Sequence, residues 1–206
     1  MDRLEYAFVI FFITLGPIKC MGPFLHLTAN FDARTKRSLA LKGSLIAAVV
    51  GLFVVFVGNA LRAKWQIGQP DLMITFGILL LISALQQLTQ AEHAPEAATP
   101  PTAPAGLALS PIAFPIIITP YGIAALLLFA AVAQDRQVFL TGVFGLFLAL
   151  MAVNAASMIF ARQILIVVRP QILRAFGWIL GVLQASLAVY AIMSGLRLEF
   201  PTMAAG

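Results

Sequence analysis

The chain has 206 residues, of which 61% are hydrophobic and 10% charged, with a mean hydropathy of +0.98. Those proportions exclude a soluble globular domain and point to an integral membrane protein. The net charge of +5 does not signal nucleic acid: the basic residues form no stripe and gather in or beside short loops, as the positive-inside rule expects.

A bilayer span needs roughly 20 apolar residues. Six stretches approach that length, near residues 4–28, 39–61, 70–90, 109–133, 137–161 and 172–196. The first follows a single Arg3 and looks superficially like a signal peptide. It is too long, holds prolines and lacks a clear small-residue cleavage site, so it is expected to remain as a span. It is also interrupted, by Gly16-Pro17-Ile18-Lys19-Cys20-Met21-Gly22-Pro23. Proline removes a backbone donor and clashes with the preceding turn, so this helix must kink or unwind.

The second stretch is flanked by Arg34, Lys36, Arg37 and Lys42 and carries the apolar run Phe53-Val54-Val55-Phe56, expected to face lipid. Trp65 follows its end, where interfacial anchors are common. Asp71 and Gln86-Gln87 sit near the ends of the third stretch and are expected to be solvated. Residues 91–108 are dominated by proline and alanine without apolar periodicity and read as a flexible tether. The fourth stretch carries the second interruption, Pro111 to Gly122, with prolines at 111, 115 and 120. Asn154 and Ser157 fall in the fifth, Trp178 and Gln184 in the sixth. Gly51, Gly58, Gly77, Gly142, Gly145, Gly181 and Ser186 are candidates for close helix contacts. Continuous apolar runs, in place of alternation at every second residue, argue against a β-barrel.

The expected fold is an all-α membrane protein of six transmembrane helices. Residues 1–90 form one three-span repeat, 91–108 the linker and 109–206 a second three-span repeat, the first helix of each being broken. Three spans per half deliver the chain to the opposite face, so the repeats must be inverted. Seven basic residues around the first and fifth loops against five opposite them favour both termini outside the cytoplasm.

With both proline motifs in place, the chain resembles the MarC family of membrane proteins, within the lysine-exporter-like transporter superfamily. The matching residues are Pro17-Ile18, Phe24-Leu25-His26-Leu27-Thr28, the basic loop from Ala33 to Ala40, Ile67-Gly68-Gln69-Pro70, Phe76 to Leu80, and Pro111, Pro115 and Pro120. Lys19-Cys20 stands where the family pattern has Gly-Asn, and Thr119-Pro120-Tyr121 where it has Gly-Pro-Gly. The resemblance implies a multi-pass protein of a bacterial inner membrane that moves a small solute, such as a small neutral amino acid.

Residue chemistry leads to a related expectation. Paired broken helices are the best sequence pointer to a midplane solute site, where freed backbone groups and helix N-termini meet the ligand; the alternative is that the prolines only kink helices for packing. Candidate solute-binding residues are Pro17, Ile18, Lys19, Cys20, Gly22, Thr119, Pro120, Tyr121, Gly122 and Asn154. Lys19, roughly mid-span, costs at least ~2.5 kcal/mol to insert. It either binds a carboxylate or carries a coupling proton, or else caps carbonyls freed by the break. Asn154, Ser157 and Gln184 either line a polar path or serve as interhelical hydrogen-bond glue. Cys20 reads first as a packing residue. No enzyme motif, ATP-binding motif, metal-ligand set or cofactor site is recognisable. The expected partners are the lipid bilayer and a small-molecule solute, with no nucleic acid and with a homo-oligomer left open. The competing reading is a non-transporting scaffold or accessory protein.

Overall fold

The computed structural model describes residues 3–90, 106–133, 137–167 and 170–201; most of the 91–108 linker lies outside them. The described residues are mostly helical and include no strand. The expected first span is two helices, α1 (Arg3–Leu15) and α2 (Pro17–Leu27), divided at Gly16. Then come α3 (Ala33–Lys64) and α4 (Gln69–Gln90), an irregular coiled segment (Ala108–Ile117), α5 (Pro120–Val132), α6 (Gln137–Ile159), the short α7 (Ala161–Val167) and α8 (Pro170–Glu199).

Five helices or broken helices are long and apolar enough to cross a bilayer. The bent pair Ala108–Ile117 and Pro120–Val132 makes a sixth if it counts as one span. The chain is therefore a multi-pass membrane protein. Helix α3 shows how composition sets length. At 1.5 Å per residue its 32 residues run about 48 Å, beyond the ~30 Å hydrocarbon core. Its ends carry Arg34, Lys36 and Arg37 at one face and Arg62 and Lys64 at the other. Asp32 starts it, its carboxylate accepting from the Arg34 amide at 3.2 Å. Of the run expected to face lipid, Phe53 and Phe56 stand outward, more than 60% exposed, whereas Val55 points into the core because a helix turns successive residues to different sides; Trp65 and Trp178 are exposed too.

The bundle has two parts. Helices α1, α2, α3, α5 and α6 pack together with the 108–117 segment around a core that includes Phe11, Leu15, Phe24, Ile112, Ile117, Leu126 and Phe147. Helices α4 and α8 lie against each other along their length and join the rest chiefly through α4 and α5. Glycines make that pairing close. A Cβ on Gly77 would come within 2.7 Å of the Ala188 carbonyl, and one on Gly195 within 2.9 Å of the Pro70 carbonyl. Two of the expected contact residues are elsewhere: Gly145 has no neighbour within 4 Å, and Ser186 is exposed with its hydroxyl on the Val182 carbonyl.

Candidate functional site

Both interruptions follow from proline chemistry, in different ways. At the first, Gly16 is extended (φ −75°, ψ 165°) and Pro17 begins α2, where a missing N–H costs least. A side chain at residue 16 would overlap the Phe12 carbonyl, so the break is as tight as backbone allows. Pro23 lies inside α2 without ending it. At the second, Ser110 and Phe114 are extended, each followed by a cis proline, and the backbone closes wide turns, Ile112 N–H to Leu107 O and Ile118 N–H to Ala113 O. The chain then turns by 65° into α5, whose first turn is capped by the Thr119 hydroxyl accepting from the Gly122 amide at 3.1 Å. The stretch from 109 is broken as expected, because prolines four residues apart leave too few donors for a regular ladder.

The two breaks meet. Carbonyls left open around Gly16 are met by side chains from the other half of the chain. Asn154 Nδ2 on α6 donates to Leu15 O at 2.7 Å, and Thr119 Oγ1 approaches Thr14 O at 3.4 Å. Cys20 is buried with its thiol 3.7 Å from both Gly16 O and Ile116 O. Gly122 lies so close to Leu15 that a Cβ there would overlap the leucine side chain. Lys19, half-buried in the first turn of α2, donates from Nζ to Tyr121 Oη at 3.0 Å, with Nζ 4.6 Å from the ring centre. This is the point where both halves place chemistry-bearing side chains in contact.

Space lies beside it. A void of about 10 Å³, room for about one water, is lined by Phe12, Ile13, Gly16, Ile18, Lys19, Leu180 and Gln184. A wider cleft of about 390 Å³ is bordered by Ile18, Lys19, Gly22, Gln87 and Gly177. Its lining residues Gly22, Gln87 and Leu165 lie toward the helix ends on the side of the α2–α3 loop. Ile18 and Lys19 border both. Two buried amides here are incompletely satisfied, Gln184 on the small void and Asn154 against the first break: Asn154 Oδ1 and both polar atoms of Gln184 lack hydrogen-bond partners among the described residues. An orphaned buried amide is costly, so these atoms are the best-marked acceptors and donors available to a ligand.

The candidates therefore separate by position. Lys19, Tyr121, Ile18, Asn154 and Gly22 border the breaks or the cleft. Pro17, Cys20, Thr119 and Gly122 are buried in the joint and hold it together. Pro120 is exposed at the start of α5 and borders neither space. Ser157 spends its hydroxyl on the Asn154 carbonyl at 2.9 Å. Gln87, expected to be solvated, is half-buried on the cleft, whereas Asp71 is exposed and caps α4 through the Gly68 amide at 2.8 Å. Gln184, flagged in the sequence only by its polarity, lines the small void with both polar atoms unpaired among the described residues.

The sequence pattern described as "MarC family integral membrane protein" matches residues 1–200. The chain belongs to the MarC family. Among curated proteins, a relative named "UPF0056 membrane protein" from Buchnera aphidicola subsp. Schizaphis graminum (strain Sg) is 22% identical over 142 residues, covering 69% of this chain and 71% of its own. No solved structure matches. The MarC assignment covers both breaks and the residues joining them, including the Lys19-Cys20 pair.

Proposed function

We propose that this MarC-family protein is a secondary transporter or exporter that moves a small zwitterionic solute, such as a small neutral amino acid, by alternating access. The supporting observation is the Lys19–Tyr121 contact, which joins the two breaks at the border of the 390 Å³ cleft. In this reading Lys19 receives the solute carboxylate, displacing Tyr121. Gln184 and Asn154 supply the unpaired amide atoms for its remaining polar groups. The Ile13 carbonyl, which Pro17 cannot satisfy as the fourth residue along, is a further acceptor for the solute ammonium.

The cleft faces the basic-loop end. The opposite end has a separate cavity of about 340 Å³ bordered by Tyr6, Ile10, Gln69 and Phe129. The fully buried Phe11 and Leu15 lie on the same helix between Ile10 and the Gly16 break. Alternating access then consists of loosening this plug while the cleft beside Lys19 closes. Residues 1–90 and 109–206 are read as inverted repeats rocking about the joined breaks, in a bacterial inner membrane. Neither an enzyme activity nor a cofactor enters this reading.

The test is flux into proteoliposomes with a panel of amino acids. Saturable uptake of one class is expected, and Lys19→Met should abolish it while the protein still folds and runs as one species. A second reading, a non-transporting scaffold, is favoured by one observation: the enclosed void beside the first break has room for only about one water. Absence of flux for every solute would select it.

A further inference from the structure

Outside the joined breaks, one other recess concentrates charge. A cleft of about 440 Å³ brings Lys36 and Arg37 from the start of α3 together with Arg162 from the start of α7, over a wall that includes Phe24, Phe31 and Met158. The sequence places these cations at the ends of spans two and five, with Arg37 and Arg162 125 positions apart. Only the fold makes them neighbours. Among the described residues neither Arg37 nor Arg162 has a hydrogen-bond or ion-pair partner, and Lys36 reaches only the Ala29 carbonyl at 3.5 Å. The nearest carboxylate along the chain, Asp32, is already engaged. Its acidity is held above that of an ordinary carboxyl by the Thr35 hydroxyl and the adjacent amides, and it caps α3. Among the described residues, three cations thus share a largely apolar recess whose lining includes no carboxylate.

Beyond the recess, α3 carries exposed apolar residues toward the membrane interior. Arg37, Leu41, Leu45 and Val49 recur every fourth residue on one face of α3, and the three apolar members are exposed. Leu45 lies about 12 Å along the axis from Arg37 toward the membrane interior. A phosphate held by the cations would therefore have an apolar track for an acyl chain directly beneath it. We infer that this cleft is a binding site for the phosphate headgroup of an anionic phospholipid, its acyl chain lying along Leu41, Leu45 and Val49. A free phosphate ion shares the headgroup chemistry but gains nothing from that track. The site is independent of any transport activity.

The experiment uses the full chain in neutral detergent, followed by thermal unfolding. Short-chain phosphatidylglycerol is compared with phosphatidylcholine of the same chain length and with inorganic phosphate. Phosphatidylglycerol is expected to raise Tm saturably, with the other two far weaker. The double variant R37Q/R162Q should weaken its binding about 30-fold, from roughly one unit of surface attraction lost per cation. R37K/R162K should stay nearer the unmodified chain. K64Q, at the far end of α3, should bind normally. Equal stabilisation by phosphatidylcholine overturns the inference, as does saturation by inorganic phosphate alone, or unchanged binding in R37Q/R162Q. The lipid comparison on the unmodified chain decides the matter even where a variant does not accumulate.

Discussion

The two interruptions of this bundle contain the same disruptive residue and solve the problem differently. The first is one residue wide: α1 ends, Gly16 is extended, and α2 starts at once on Pro17. The second spreads over about ten residues, with extended backbone at Ser110 and Phe114 and a 65° turn before α5. The difference lies in spacing. A proline at the first position of a helix lacks only a donor that would be unpaired anyway, whereas prolines at 111 and 115 remove donors one turn apart inside the segment. A proline alone is therefore a weak guide, since Pro23 interrupts nothing. What surrounds it decides whether a helix ends, continues or unravels.

The contrast also extends to partners. The narrow break depends on side chains borrowed from elsewhere: Asn154 on α6 and Thr119 at the second break answer its open carbonyls. The wide segment satisfies part of its own backbone through wide turns. In lipid an unpaired carbonyl has no water to turn to, so the narrow break should be the more fragile of the two.

Its largest test is Gly16→Ala. The added methyl meets the Phe12 carbonyl, a backbone atom that cannot swing aside, so a loss of about 3 kcal/mol is expected in thermal or denaturant unfolding in detergent. Little change would mean that α1 and α2 can re-form the joint at another residue. Next is Asn154→Leu, which leaves Leu15 O without its donor. A loss of about 1–2 kcal/mol is expected by the same measurement. A neutral result would show the carbonyl finding another partner. The smallest expected effect is Thr119→Ala, which removes the cap of α5 and the long contact to Thr14 O, at about 1 kcal/mol. If Thr119→Ala proved costlier than Asn154→Leu, the second break would be the one that holds the joint.

Much of the plan was legible from residues alone. Apolar run lengths located the helices, with α6 and α8 within a few residues of the expected 137–161 and 172–196. The proline clusters marked both interruptions, and continuous hydrophobicity ruled out alternating strands. Less was legible where the outcome depends on which helix lies opposite. Gly77 closely abuts α8 while Gly145, equally small, faces open space. Gln87 borders the cleft beside Lys19 although it lies near the end of α4, and Pro120 lies in the second motif yet borders neither space. Run length reports how deep a residue sits along its helix and says nothing of the direction its side chain takes around that helix.

Apolarity and proline clusters, both properties of short stretches of chain, determined by themselves that this protein crosses the membrane repeatedly and which two stretches carry an interruption. Only the tertiary structure decided that Lys19 would touch Tyr121, that Asn154 would answer Leu15, and that Arg37 and Arg162 would share one recess. Those pairs are separated by 102, 139 and 125 positions, and nothing local records them. The physical reason is that solvent preference and backbone donors act residue by residue, whereas a contact between helices is set by how whole surfaces fit, and that requires every helix to be in place.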